Sequence, residues 1–396
     1  MGQTSVALAL LGFLGAALQV ATPPSAEPHH GKYAGDAACL TCHQEQSTPY
    51  VHTAHHLTSQ PGNKDSILGS FHDGSNVLMI ADPATASDNP GLYFKMEAKP
   101  DGFYQMAVAG WPGQLQRKSE RMDVVIGSGV RGQSYLYWHD DRLFELPVSH
   151  WSDGSRWINS PGYKDGTMNF SRAVVPRCLE CHATSIVTRS RDPLSNQYDP
   201  SSLVTGISCE RCHGAGTNHI AFHEAKAKAG TPVELAEETI LNPAKFARDR
   251  QVDLCALCHN GIRREELVPA FSFTPGETLD NYLRSNEGGV SAHPDVHGNQ
   301  VGLLQKSRCY LSSPNMSCST CHDVHRPERA AASYSDRCLT CHRVESCGMS
   351  KTMGHKIVDN CIDCHMPVES TAAIASETAG QVIRPKMRNH WIKVYQ

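Results

Sequence analysis

Cys209-Glu-Arg-Cys212-His213 is one of seven copies of a single pattern, Cys-x-x-Cys-His, and these copies decide how the 396-residue chain is read. The others are Cys39-Leu-Thr-Cys42-His43, Cys178-Leu-Glu-Cys181-His182, Cys255-Ala-Leu-Cys258-His259, Cys318-Ser-Thr-Cys321-His322, Cys338-Leu-Thr-Cys341-His342 and Cys361-Ile-Asp-Cys364-His365. Two thiols three positions apart on one helical turn can reach the two vinyl groups of one haem. The histidine that follows then lies under the porphyrin as the proximal iron ligand. Zinc explains less, because tetrahedral sites normally need two such pairs each and give no reason for a histidine after every second cysteine. A disulfide inside each motif would close a strained short ring. The expectation is seven covalently bound haem c groups, with iron ligated by His43, His182, His213, His259, His322, His342 and His365.

Working outward, the motifs take fourteen of the 16 cysteines and leave Cys309 and Cys347. In an oxidising compartment the two leftovers are expected to form a disulfide, with two buried free thiols as the alternative. Charged residues make up 19% of the chain and the formal net charge is −4, so no basic stripe for nucleic acid is present. Val6 to Ala21 is an apolar run, followed by Thr22-Pro23-Pro24-Ser25-Ala26, which reads as a secretory signal over 1–26 cleaved after Ala21 or Ala26. The first positive residue is Lys32, so the segment could instead remain as an N-terminal anchor. A periplasmic or extracellular location is expected.

The motif starts are separated by 139, 31, 46, 63, 20 and 23 residues, and the first gap is the outlier. Inside it, Leu92 to Ala98 and Phe103 to Val108 flank a Lys99-Pro-Asp-Gly turn. Tyr135 to Trp138 and Arg142 to Val148 flank His139-Asp-Asp. The chain therefore divides into a first haem-binding segment at 27–75, a haem-free antiparallel β-rich insertion at 76–173 and a six-haem domain at 174–396. The six-haem domain is expected to be mainly α and irregular, with little regular secondary structure and haems in place of most of an apolar core. Its best continuous helix candidate is Ala221 to Leu241. Gly127-Ser-Gly129-Val-Arg-Gly132 satisfies G-x-G-x-x-G, but a strand-like stretch follows where a dinucleotide site needs a helix. No nucleotide cofactor is expected.

Fifteen histidines lie outside the motifs. A haem with two histidine ligands can only pass electrons, whereas one with an open face can bind a substrate. The candidate distal ligands are His55, His56, His219, His223, His297, His325, His355 and His390. His219 and His223 sit four apart on one helix face, and His325 is too close to its own motif to ligate that haem. His29, His30, His139 and His150 read as ordinary histidines, and Met366 as packing.

Several stretches carry a resemblance: Tyr33 to His43 with His55-His56, Cys209 to His219, Ser317 to His325, and Cys361 to Pro367 with Met387-Arg-Asn-His390. The chain resembles multihaem cytochromes c related to the tetrahaem electron-transfer cytochrome of ammonia oxidisers, over roughly 33–72 and 174–392. It also looks like larger environmental relatives in which Gly127 to Pro161 recurs. The resemblance implies mainly bis-histidine haems stacked in pairs, with His219, His325 and His390 as distal ligands to haems other than their own. The β insertion departs from the small members, so their partner is not carried over.

The reading is an exported heptahaem electron relay between redox donor and acceptor proteins. Two rivals stay open. One is a multihaem oxidoreductase acting on a small nitrogen or sulfur compound at an open haem, for which no catalytic residue is singled out. The other is a haem-stacking subunit of a conductive filament or of a membrane-proximal complex. The second rival, like a homo-oligomer, would have protomers meet through terminal haems.

Overall fold

A computed structural model describes residues 32–229, 240–261, 265–284, 293–294, 299–327, 330–371 and 375–395. The apolar stretch at 1–26, His297 and residues 230–239 of the helix expected at 221–241 lie outside these residues, as does the side chain of His355.

The long gap between the first two motifs folds as two antiparallel sheets. Strands β1 (Ser59–Pro61), β2 (Val77–Ala81), β3 (Gly91–Lys99), β4 (Gly102–Trp111), β5 (Gln114–Arg121) and β6 (Val124–Ile126) come first. They are followed by β7 (Gly132–His139), β8 (Arg142–Glu145), β9 (Val148–Trp151), β10 (Arg156–Asn159) and β11 (Arg172–Ala173). One sheet is the meander β2-β3-β4-β5. The other runs β1-β6-β7-β8-β11, with β9 paired to β7 and to β10. Both hairpins read from the sequence form, with Lys99 opposite Gly102 and His139 opposite Arg142. Along β3 the alternate residues Leu92, Phe94 and Met96 are buried, the period-two pattern of a half-buried strand. They share one core with Val125, Tyr135, Tyr137, Leu146, Val148 and Trp157 of the second sheet. Gln105 is fully buried there and satisfied twice, accepting from the Val148 N–H and donating to its carbonyl.

Gly127 and Gly129 adopt left-handed φ values of 102° and 85° in the turn from β6 to β7. A Cβ on Gly132 would lie 2.5 Å from the His150 carbonyl oxygen. The glycines therefore serve a strand-to-strand turn and close sheet packing.

The β unit is less separate than the expected division implies. Its second sheet begins at Ser59, inside the segment assigned to the first haem. Val124, Leu136 and Leu143 pack with Val174, Leu179, Ala183, Ile186 and Tyr198 in a second core. Leu179 stands between the two cysteines of the second motif, so that motif is built into the face of the sheet. Asn159 at the end of β10 also receives the C-terminal stretch, its N–H donating to Thr378 Oγ1 and its side chain to the Glu377 carbonyl.

Beyond residue 174 the regular elements are short, apart from helices at Thr217–Ala229 and Arg248–His259. The first begins four residues before the stretch read as helical. The second buries Val252, Ala256 and Leu257 against Phe273, Leu279, Leu283, Val301 and Tyr310. This region thus holds a more ordinary apolar core than the sequence led us to expect. Among the described residues no helix is long and apolar enough to cross a membrane.

Candidate haem-binding site

Each motif winds as a single turn. The N–H of His43 donates to the Cys39 carbonyl at 2.9 Å, that of His322 to Cys318 at 2.9 Å, and that of His342 to Cys338 at 3.0 Å. The third motif is a five-residue helix, Cys209–His213, the seventh is another, Cys361–His365, and the fourth ends the helix Arg248–His259. The second motif closes more tightly, the His182 N–H donating to the Leu179 carbonyl at 2.8 Å, and in the others the i to i−4 geometry carries both thiols and the imidazole to one side of the turn.

The motif turns are tied to one another. Glu210, inside the third motif and 3% exposed, accepts from the N–H groups of Ala34, Gly35 and Gly216 at 2.7–2.9 Å. Asp36 accepts from the Cys209 N–H at 3.0 Å. These bonds lock the approach to the first motif onto the third and bring Cys39 within hydrogen-bonding reach of Cys209. Cys181 reaches Cys258 in the same way, and Cys255 reaches Cys318. Cys338 is an electrostatic neighbour of Cys321 and Cys361, and Cys255 of Cys212. The first motif therefore adjoins the third, and the second adjoins the fourth. The third, fourth, fifth, sixth and seventh follow in line.

Among the described residues, four of the motif histidines face a histidine from outside the motifs. Ring centres are 6.3 Å apart for His43 and His219, 6.1 Å for His213 and His325, and 6.2 Å for His322 and His390, with planes inclined by 22–26°. His259 and His55 are 5.9 Å apart with planes at 79°. Two imidazoles on opposite sides of one metal, each nitrogen about 2 Å from it, have ring centres about 6.2 Å apart. The donor set and its spacing therefore fit an iron with two axial imidazoles.

The ring orientations are set by neighbours. The Nδ1–H of His213 donates to the Leu241 carbonyl at 2.8 Å, that of His365 to Lys393 at 2.9 Å, and that of His390 to Arg388 at 3.1 Å. A carbonyl can only accept, so Nδ1 holds the proton and Nε2 keeps the lone pair a metal needs. His182 shares a 3.0 Å hydrogen bond between Nδ1 and Thr58 Oγ1, while its carbonyl accepts from Ser59. Burial, reinforced by neighbouring His259 and His322, holds His55 down to about 4. Burial does the same to His390, with the same two histidines adding to it and the Arg388 carbonyl opposing. Burial also lowers His259 and His325. In all four the shift favours the neutral imidazole, the form that can ligate.

Of the other distal candidates, His223 packs edge-on against His219 at 4.5 Å, and His56 packs edge-on against Tyr50 with Nδ1 3.4 Å from Asp36. Cys309 and Cys347 are free thiols in the structure, so the expected bridge is not formed there. The neighbours that feel Cys309 are Cys321 and Cys338. A residue class that sequence reasoning missed is the charge inside the variable motif positions. Glu180, Glu210 and Arg211 are all buried and bonded, and a charged x in Cys-x-x-Cys was the signal for them.

Residues 158–214 match the family model described as cytochrome c554 and c-prime. The chain is 27% identical over 165 residues to the C-type polyheme cytochrome OmcC of Geobacter sulfurreducens. That match takes in 37% of this chain and spans 20% of the relative's length. In fold it resembles the crystal structure of the outer cell wall cytochrome OcwA. The TM-score is 0.53 at 16% identity, over 91% of this chain and 79% of that one. All three likenesses are to cytochromes, and the Geobacter relative is described as a C-type polyheme one.

Proposed function

Taking the chain as a multihaem c-type cytochrome that transfers electrons, we propose an exported, periplasmic or extracellular, seven-haem relay. In this reading all seven motifs carry haem c and at least four irons are saturated by two histidines. The observation that carries it is the set of four facing imidazole pairs, His43/His219, His213/His325, His259/His55 and His322/His390, each joining a motif histidine to one outside the motifs. Bound haem supplies a one-electron iron couple. The chain does the rest. Cysteine pairs anchor each group, carbonyls such as Leu241 and Arg388 aim the imidazoles, and the ties between motifs hold neighbouring sites close. The adjacency of thiols gives a path from the first site through the third, fourth, fifth and sixth to the seventh, with the second joining at the fourth. Donor and acceptor are redox proteins at opposite ends of that path.

The test is haem quantitation by pyridine haemochrome together with low-temperature EPR of the oxidised protein, spins counted against iron. Seven haems per chain with at least four low-spin ferric centres is the expected result. A haem count well below seven would sink the reading. So would a dominant high-spin signal that shifts on adding nitrite, hydroxylamine or sulfite, which would mark an oxidoreductase.

A further inference from the structure

A buried charge cluster sits where three motifs meet. Arg177 stands one residue before the second motif, Glu180 lies inside it, and Arg211 lies inside the third. Their exposures are 8%, 3% and 8%. Arg177 Nη1 donates to Glu180 Oε2. Its Nη2 donates at 2.7 Å to the carbonyl of Leu257, a variable residue of the fourth motif. Arg211 Nη2 lies 3.6 Å from Glu180 Oε1 and donates at 3.2 Å to the Glu180 carbonyl. The second, third and fourth motifs are thus stapled by one Arg-Glu-Arg triad.

The surroundings are built around it. The Phe271 N–H donates to Glu180 Oε1 at 2.7 Å, and the Arg211 guanidinium lies 5.3 Å from the Phe271 ring centre. Phe271 is held at φ +68°, a conformation that a bulky residue keeps only where its neighbours over-determine it. Glu266 flanks the group, pushed up chiefly by burial and then by Glu180, with Arg177 opposing. Two guanidiniums against one carboxylate leave the triad itself with one excess positive charge, and burial shifts the flanking Glu266 towards its neutral form, so that it offsets that charge less. The Cys181 and Cys258 thiols, which touch each other, both feel Glu180 and Arg211. Charge buried in a low-dielectric interior is screened far less than charge at the surface.

Resting on the seven-haem reading, we infer that Arg177, Glu180 and Arg211 form an electrostatic junction that raises the reduction potential of the haem sites at the second, third and fourth motifs. Excess positive charge favours ferrous over ferric iron, so electrons entering from either arm collect where the second site joins the line. The arginines act through their field and through the motif backbones they hold, as positioning residues.

Spectroelectrochemical titration of the haem-loaded full chain tests this, with haem content measured on each variant. Arg211→Gln makes at least one component about tenfold less reduced at the potential where it is half-reduced in the wild type, about 59 mV more negative. Arg211→Lys keeps the charge and stays within threefold of the wild type. Glu180→Gln moves the same component in the opposite direction. Unchanged midpoints in fully loaded Arg211→Gln overturn the inference, as do shifts of equal sign in Arg211→Gln and Glu180→Gln. Should Arg211→Gln fail to load haem, Glu180→Gln against Arg211→Lys decides, and anything but a positive shift overturns it. A wild type with too few haems defeats the preceding reading instead, and opposite-signed shifts on the haems present would still uphold the junction.

Discussion

His322 and His390 face each other with ring centres 6.2 Å apart and planes inclined by 22°, although one belongs to the fifth motif and the other follows the seventh. The tail that delivers His390 is strapped down twice. Ser307 Oγ donates to the His390 carbonyl and accepts from the Ile392 N–H. Arg388 donates to the carbonyls of Ile362 and Met366 and pairs with Asp363 at 2.8 Å.

Replacing His390 by glycine should therefore open one site without disturbing attachment. The expected result is an unchanged haem count, one low-spin ferric signal converted to high spin, and recovery of the low-spin form when free imidazole is added. EPR with spin quantitation reads all three, and an unaltered spectrum would show that His390 is not a ligand.

The His259/His55 pair differs from the other three in its plane angle, 79° against 22–26°. Crossed ligand planes leave iron with a strongly anisotropic low-spin signal, whereas near-parallel planes give a rhombic one. His55→Ala should remove one anisotropic component and spare the rhombic ones. Gly206→Ala should do the same indirectly. Gly206 has φ +70° and a Cβ there would lie 2.1 Å from the His56 carbonyl oxygen, forcing the His55-His56 backbone to shift.

Glu145 of β8 offers a pH prediction. Burial pushes its carboxyl up to about 7 from an ordinary 4.5, against the pull of Arg172 and Ser134. The folded protein holds a proton that the unfolded chain has released, so this site costs nothing below about pH 4.5. Its cost then grows as pH rises towards 7. The side chain keeps 18% of its surface exposed and Arg172 lies 3.2 Å away, which reduces the effect to about 1–2 kcal/mol. Glu145→Gln should gain thermal stability over the wild type at pH 8 and show little gain at pH 5. An equal difference at both pH values would count against the raised carboxyl.

Leu179 is 2% exposed in the core shared by the second motif and the β unit. Leu179→Ala should cost about 2–5 kcal/mol. Because one core serves both parts, the near-UV circular dichroism of the aromatic sheet and the Soret circular dichroism should be lost together on denaturant titration. Two separate transitions would show that the β unit folds independently of the motif.

Cys-x-x-Cys-His is a local rule, and so is the strand–turn–strand pattern of β3 and β4. Both could be read along the chain, and the turns and hairpins stand where they were expected. Partner choice between histidines is not local. His219 and His223 share a helix face, yet His219 is the one that meets His43, because Thr217 at the head of the helix accepts from the Lys32 N–H and anchors it beside the first motif. The pairing of β1 with β6 depends equally on a distant contact, which is why the sheet reaches back to Ser59. The Arg177–Glu180–Arg211 triad likewise joins residues whose kinship appears only once three motif turns are packed.

The four facing pairs also interlock. The stretch after the first motif brings His55 to the fourth motif's histidine, the stretch after the third brings His219 to the first's, the stretch after the fifth brings His325 to the third's, and the stretch after the seventh brings His390 to the fifth's. In none of these four pairs does the partner histidine come from the segment that follows its own motif. Recombination that duplicated, deleted or exchanged such a segment would remove the facing histidine from a motif elsewhere in the chain. Change by shuffling is thereby closed off across these interlocked segments, and single substitutions remain the route by which this arrangement can be altered without being dismantled.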